Sequence, residues 1–148
     1  MASEVLQETL LGRPGKERPR VLLVEDDDGV ASMLAICLAT AGFDVARVAL
    51  GAEALSILGR ESVHATILDL GLPDGLGGSV LDWLRQVSGK GGPPYLVISA
   101  LDRVEVKQRY GIIGENFLAK PFDPWALVGR LEEMLEGGTA PPAEGESR

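Results

Sequence analysis

Four short stretches of this 148-residue chain place chemically capable polar side chains directly after apolar runs. Glu25-Asp26-Asp27-Asp28 follows Val21-Leu22-Leu23-Val24, and Asp69 closes the run that begins at Val63. Ser99 follows Tyr95-Leu96-Val97-Ile98, and Lys120-Pro121 follows Phe117-Leu118. Apolar runs bounded by turn formers read as buried strands leaving a sheet into loops. After Asp69 come Gly71, Pro73 and Asp74-Gly75, so its carboxylate is expected in a crevice and not in the core. Parallel sheets bind ligands beyond the carboxyl ends of their strands. The other three stretches are therefore expected to converge on Asp69, with the bunched carboxylates suited to holding a cation.

The elements that must position these residues alternate along the chain. Val21–Val24 reads as a strand covered on both faces. Val30, Met33, Leu34, Cys37, Leu38 and Ala41 recur at helical spacing, and Gly42 closes that helix. Phe43–Ala49 is a weaker second strand, Ala52–Leu58 a short helix ended by Gly59, and the run into Asp69 the third strand. Gly78–Val87 is a helix with Val80, Leu81 and Leu84 inward, and Tyr95–Ile98 the fourth strand. Asp102–Tyr110 is a poor helix and Phe117-Leu118 a short fifth strand. Pro124 opens the last helix, with Leu127, Val128, Leu131 and Leu135 as its stripe. Five strands alternating with five helices predict an α/β fold, a doubly wound parallel sheet.

Composition narrows the function classes. The hydrophobic fraction of 45% is that of a globular chain, and one cysteine excludes an internal disulfide framework. Cys37 lies on the apolar stripe of its helix, where a packed thiol is expected. No apolar run is long enough for a membrane span, and the first residues lack a signal peptide's pattern, so a cytoplasmic protein is expected. The net charge is −8, and residues 21–136 carry nine basic against seventeen acidic groups. So acidic a globular part is not expected to bind nucleic acid directly. Residues 1–19 read as an extension and linker, with a marginal helix over Ser3–Leu11 and a solvated basic stretch to Arg20. Residues 20–136 form the domain, and residues 137–148 a disordered tail.

The ordered set Glu25-Asp26, Asp69, Ser99-Ala100 and Lys120-Pro121-Phe122 resembles the receiver domain of response regulators in bacterial two-component signalling, over about residues 20–136. The resemblance implies a flavodoxin-like sheet of strand order 2-1-3-4-5. It implies phosphorylation on Asp69, because a carboxylate can attack phosphorus to give an aspartyl phosphate. It further implies Mg²⁺ held by Asp26, Asp69 and the Gly71 carbonyl, with Glu25 acting through water. Asp27 and Asp28 are expected to begin the following helix, near the positive end of its dipole. Lys120 would pair with the phosphoryl group and precede a cis Pro121. Ser99 and Phe117 would be the switch pair, with Phe117 in place of the more usual Tyr. A receiver of this kind catalyses its own phosphorylation and dephosphorylation and has no separate substrate.

The partners implied are a sensor histidine kinase or histidine phosphotransfer protein, and a downstream target or output domain. The surface of helix 4, strand 5 and helix 5 would switch, with homodimerisation through it as a further expectation. The charged pairs for that are incomplete: Arg130 is present, but Ala126 stands where an acid is usual. Trp125 is read as an exposed anchor for a partner or for the N-terminal segment, or else as a local packing residue, and His64 as a bystander. Gly71, where the family often has a larger residue, suggests a more open site. The shortened run Tyr110–Asn116, with its two glycines, suggests a fourth helix that is short or mobile. The alternative reading is a pseudo-receiver, an interaction module that is not phosphorylated, although such modules lose part of the acidic pair, Asp69 or Lys120. A phosphatase with an aspartate nucleophile would carry a second Asp where Gly71 stands. The chain ends twelve residues after the last expected helix. It reads either as a single-domain regulator or as a segment of a longer chain.

Overall fold

A computed structural model describes residues 18–111 and 114–137. Five strands, β1 (Arg20–Val24), β2 (Asp44–Val48), β3 (Ala65–Asp69), β4 (Tyr95–Ser99) and β5 (Phe117–Ala119), form one sheet of order β2-β1-β3-β4-β5. Every pairing is parallel, with Val24 opposite Leu68, Asp69 opposite Ile98 and Ser99 opposite Ala119. The described helices are α1 (Asp28–Thr40), α2 (Gly51–Arg60), α3 (Gly77–Ser88), α4 (Arg103–Tyr110) and α5 (Pro124–Gly137). The expected fold class and strand order are the observed ones. None of these helices is long and apolar enough to cross a membrane.

Successive strand residues point to opposite faces, and a continuous apolar strand therefore feeds two cores. Leu22, Val24, Leu68 and Val97 meet Leu81 and Val106 on the face covered by α2, α3 and α4. Val21, Leu23, Ile67 and Ile98 meet Leu34, Leu38, Leu127 and Leu131 on the α1 and α5 face. This two-sided burial is why β1, β3 and β4 carry no polar alternation. Cys37 is buried in the second core, as its place on the stripe requires.

Several boundaries and contacts differ from the sequence expectation. Gly59 lies inside α2, which continues to Arg60, because it keeps a helical backbone and not the left-handed one by which a glycine ends a helix. Met33 is partly exposed, since α1 is covered on one side only. α4 is firmer at its start than its composition suggests. The Asp102 carboxylate accepts from Glu105 N at 2.9 Å, and Glu105 Oε1 accepts from Asp102 N at 3.4 Å. Arg18 is no solvated tail residue. Its guanidinium donates to the carbonyls of Ala39, Gly42 and Phe43, where α1 ends with no basic residue in its own last turn. His64 is structural, with Nδ1 accepting from Arg20 N at 2.8 Å at the start of β1. The helix expected over Ser3–Leu11 and the tail from 138 onward lie outside the described residues.

Candidate functional site

The carboxyl ends of β1, β3, β4 and β5 surround one open cavity of about 390 Å³. Glu25 directly follows β1. Its N–H donates to Val48 O at 3.0 Å, which carries the β1–β2 ladder one residue further and holds the side chain over the sheet's end. That carboxylate is fully buried: Oε2 accepts from Asp27 N at 3.0 Å, and Oε1 lies 3.0 Å from Lys120 Nζ. Asp69, 4% exposed, accepts from Gly71 N through Oδ1 at 3.1 Å, and its Oδ2 lies 3.3 Å from Lys120 Nζ. Lys120 thus bridges two buried carboxylates. Its own backbone is held by the bond from Lys120 N to Ser99 O at 2.8 Å, and its peptide to Pro121 is cis.

The acidic run after β1 divides by role. Asp27 caps α1, Oδ1 accepting from Val30 N at 3.0 Å, and Asp28 pairs with Arg47 at 3.0 Å on the exposed side. Asp26 is the exposed member that stays with the site. One carboxylate oxygen from each of Glu25, Asp26 and Asp69 lies within 4.8 Å of the others. Burial raises the Glu25 carboxyl above its usual range and the charge on Asp69 adds to that, against bonds from Asp27 N–H and Lys120. Burial alone would lower the Lys120 ammonium, but Glu25 and Asp69 outweigh it and raise it.

Ser99 is buried at the rim, with Oγ accepting from Leu101 N at 3.0 Å, which leaves its hydroxyl proton free to point at the cavity. A methyl group on Gly71 would stand 3.8 Å from Asp69 Oδ1, so this glycine leaves the carboxylate uncovered on that side. The structure therefore gathers Glu25, Asp26, Asp69, Gly71, Ser99 and Lys120 around one space. Two further singled-out residues stand outside it. Phe117 is buried, with the Arg103 guanidinium 5.2 Å from its ring centre. Trp125 is 52% exposed in the first turn of α5. Arg130, the cation of the expected dimer face, is engaged by Glu115 of the same chain.

Two features escaped sequence reasoning. Arg109 and Tyr110, at the end of α4, line the cavity. Nothing local signals this, because it depends on the course of α4 across the sheet. Asp74 is more than half of an Asp-Gly turn. Its carboxylate accepts from Gly51 N at 3.1 Å, Ala52 N at 3.0 Å and Leu76 N at 3.3 Å, tying the loop after Asp69 to the first turn of α2. The signal was available: α2 has Leu50 at its N-cap, which offers no acceptor side chain.

Comparison with known proteins agrees with this geometry. The family model described as response regulator receiver domain matches residues 21–132. The DNA-binding response regulator MtrA of Mycolicibacterium smegmatis is 34% identical over 128 residues, covering 86% of this chain and 55% of that protein. The chain thus spans about half the length of the curated relatives it matches. Among solved structures, the receiver domain of the Francisella response regulator 1452 superposes with a TM-score of 0.69 at 27% identity, covering 82% of this chain and 99% of that one. The chemotaxis response regulator CheY4 of Vibrio cholerae gives 0.67 at 29% identity, covering 79% and 98%.

Proposed function

This chain belongs to the response regulator receiver domain family, a family of signalling modules, and from that premise we propose that it accepts a phosphoryl group on Asp69 in a Mg²⁺-dependent reaction. The observation that carries the proposal is the bridge from Lys120 Nζ to Asp69 Oδ2 at 3.3 Å, beside three carboxylates whose oxygens lie within 4.8 Å of one another. The donor set fits the ion: the side-chain donors are all hard oxygens, and Glu25 Oε1 has an ion pair but no hydrogen bond. Asp26, Asp69 and the Gly71 carbonyl would hold the ion, with Glu25 behind them. When bound, it supplies charge neutralisation between the attacking carboxylate and the incoming phosphate.

The chain's own residues do the rest. Phosphoryl transfer is chiefly positioning and charge stabilisation. Gly71 N–H holds one Asp69 oxygen and Lys120 the other, which fixes the carboxylate's plane at the mouth of the cavity. An Asp69 oxygen forms the new P–O bond. The P–N bond of a phosphohistidine, or the P–O bond of an acyl phosphate, breaks with its electron pair leaving on the donor. The departing imidazole nitrogen takes its proton from solvent. Lys120 then turns from carboxylate to phosphoryl oxygen, and the Ser99 hydroxyl donates to another.

The phosphodonor would be a sensor histidine kinase or a phosphotransfer protein. Ser99, on engaging the phosphoryl group, would shift Leu101 and the start of α4, and Phe117 lies beneath Arg103 of that helix. The α4–β5–α5 face is thereby the surface whose population shifts for a partner or an output domain. Trp125, exposed at its edge, would be an anchor there. MtrA is a DNA-binding regulator; this acidic chain would reach DNA only through another part or partner.

The test is intact mass after incubation with Mg²⁺ and a small acyl phosphate, beside Asp69→Asn. A single phosphoryl group gained by the wild type alone, and lost with a chelator, is the expected result. No gain, or an equal gain in Asp69→Asn, overturns the assignment and turns the reading to an unphosphorylated interaction module.

A further inference from the structure

Helix α4 does more than cover the sheet. It is held at three points along its length. At its start Arg103 lies over the Phe117 ring and donates to Gly114 O at 2.8 Å. At its middle Val106, 1% exposed, enters the core. At its end Tyr110 packs over Gly78 in α3, with the ring 3.4 Å from where a methyl group on that glycine would stand, an ordinary contact distance. These anchors carry the last turn of α4 to the phosphoacceptor cavity, so that Arg109 lines it together with Asp69, Ser99 and Lys120.

Arg109 is exposed, and its side chain makes no ion pair or hydrogen bond among the described residues. Four carboxylates line the cavity, Glu25, Asp26, Asp27 and Asp69, against the two cations Lys120 and Arg109. Lys120 is held between Glu25 and Asp69, so Arg109 is the cavity's uncommitted cation. A phosphodonor is a dianion approaching a region of negative potential, and a cation at the entrance raises its local concentration. A guanidinium also offers paired N–H donors that match phosphoryl oxygens.

We propose that Arg109, carried to the cavity by the packing of Val106 and Tyr110, is a second phosphoryl-binding cation of this site, receiving the dianionic phosphodonor and pairing with the phosphoryl oxygens on Asp69. This rests on the phosphoacceptor reading above. Arg109 forms and breaks no bond. It acts on encounter and on charge, so its effect falls on the dependence of rate on donor concentration and is weakened by salt.

The test compares the full chain with Arg109→Gln and Arg109→Lys in two measurements. One is the rate of Asp69 labelling against concentration of a small acyl phosphate, by intact mass at low and high salt. The other is Mg²⁺ affinity by titration calorimetry without any phosphodonor. Arg109→Gln should lower the low-salt second-order rate about tenfold, with Arg109→Lys recovering much of it and the difference shrinking in high salt. The same Arg109→Gln change should tighten Mg²⁺ binding by about twofold, because a like charge has left the rim. Opposite signs mark a charge role, whereas damage to the fold would weaken both. A variant labelled with wild-type concentration dependence, or one losing rate and Mg²⁺ affinity together, overturns the proposal and leaves the Asp69 assignment intact. A wild-type chain that takes no phosphoryl group at all overturns both.

Discussion

Gly77 is the position at which the structure makes its sharpest demand on sequence. It opens α3, at the end of the loop that begins with Asp69, and its Cα lies against the backbone of Leu70. A methyl group there would stand 2.4 Å from Leu70 O, about 1 Å short of the 3.4 Å at which ordinary contact begins, and 3.0 Å from the carbonyl carbon. The obstacle is backbone, not a side-chain tip that could rotate away. That backbone is itself held, since Leu70 N donates to Ile98 O at 3.2 Å. Gly77→Ala must therefore open the loop or distort the end of β3, and overpacking of this kind costs about 2–3 kcal/mol. For a domain of this size that is a fall in Tm of roughly 10 °C. The strain acts one residue from Asp69, so labelling by an acyl phosphate should slow as well. Gly59→Ala is the matched control. Gly59 sits inside α2 with nothing within 4 Å, and alanine there should stabilise by about 0.5–1 kcal/mol. Urea denaturation of both variants, with labelling rates measured on the same samples, decides the matter. Wild-type stability and labelling in Gly77→Ala would refute the reasoning.

Two further perturbations follow from the contacts that hold the site in place. Backbone N–H groups of Ala52, Gly51 and Leu76 hold the Asp74 carboxyl below its usual value near 3.8. Because the folded state lowers this pKa, its contribution is fully present above about pH 4 and is lost as pH falls through the depressed value. The urea midpoints of wild type and Asp74→Ala should accordingly differ at neutral pH and converge in acid; a gap that persists or widens in acid would refute the linkage. Arg18→Ala removes the guanidinium from three carbonyls at the end of α1 and should cost about 0.5–1 kcal/mol by urea denaturation, with Arg18→Lys recovering part of it.

The sequence by itself determined the order and kind of the elements and which polar residues stand at the carboxyl ends of the strands. Both follow from local physics. An apolar run such as Val21–Val24, buried on two faces, leaves a composition that only an inner parallel strand tolerates. A carboxylate, a serine or a lysine placed directly after such a run has nowhere to point except the sheet's carboxyl edge. Glu25, Asp69, Ser99 and Lys120 were legible for that reason, and Asp27 and Asp28 were separable from Asp26 because helix starts attract carboxylates.

Tertiary structure decided the relations between distant segments. Asp74 looked like a turn former because its partners, Gly51 and Ala52, lie more than twenty residues away. Arg18 looked like a solvated tail because the carbonyls it satisfies belong to the end of another element. Met33 fits its helix's apolar spacing, yet it is partly exposed because the packed face of α1 is narrower than its apolar stripe. Arg109 shows the limit most plainly. Its distance from the cavity depends on the angle at which α4 crosses the sheet, and that angle is set by Val106, by Arg103 over Phe117, and by a tyrosine resting on a glycine in another helix. Spacing along a chain specifies which face of an element is apolar, but where the element lies is settled only when that face meets its counterpart.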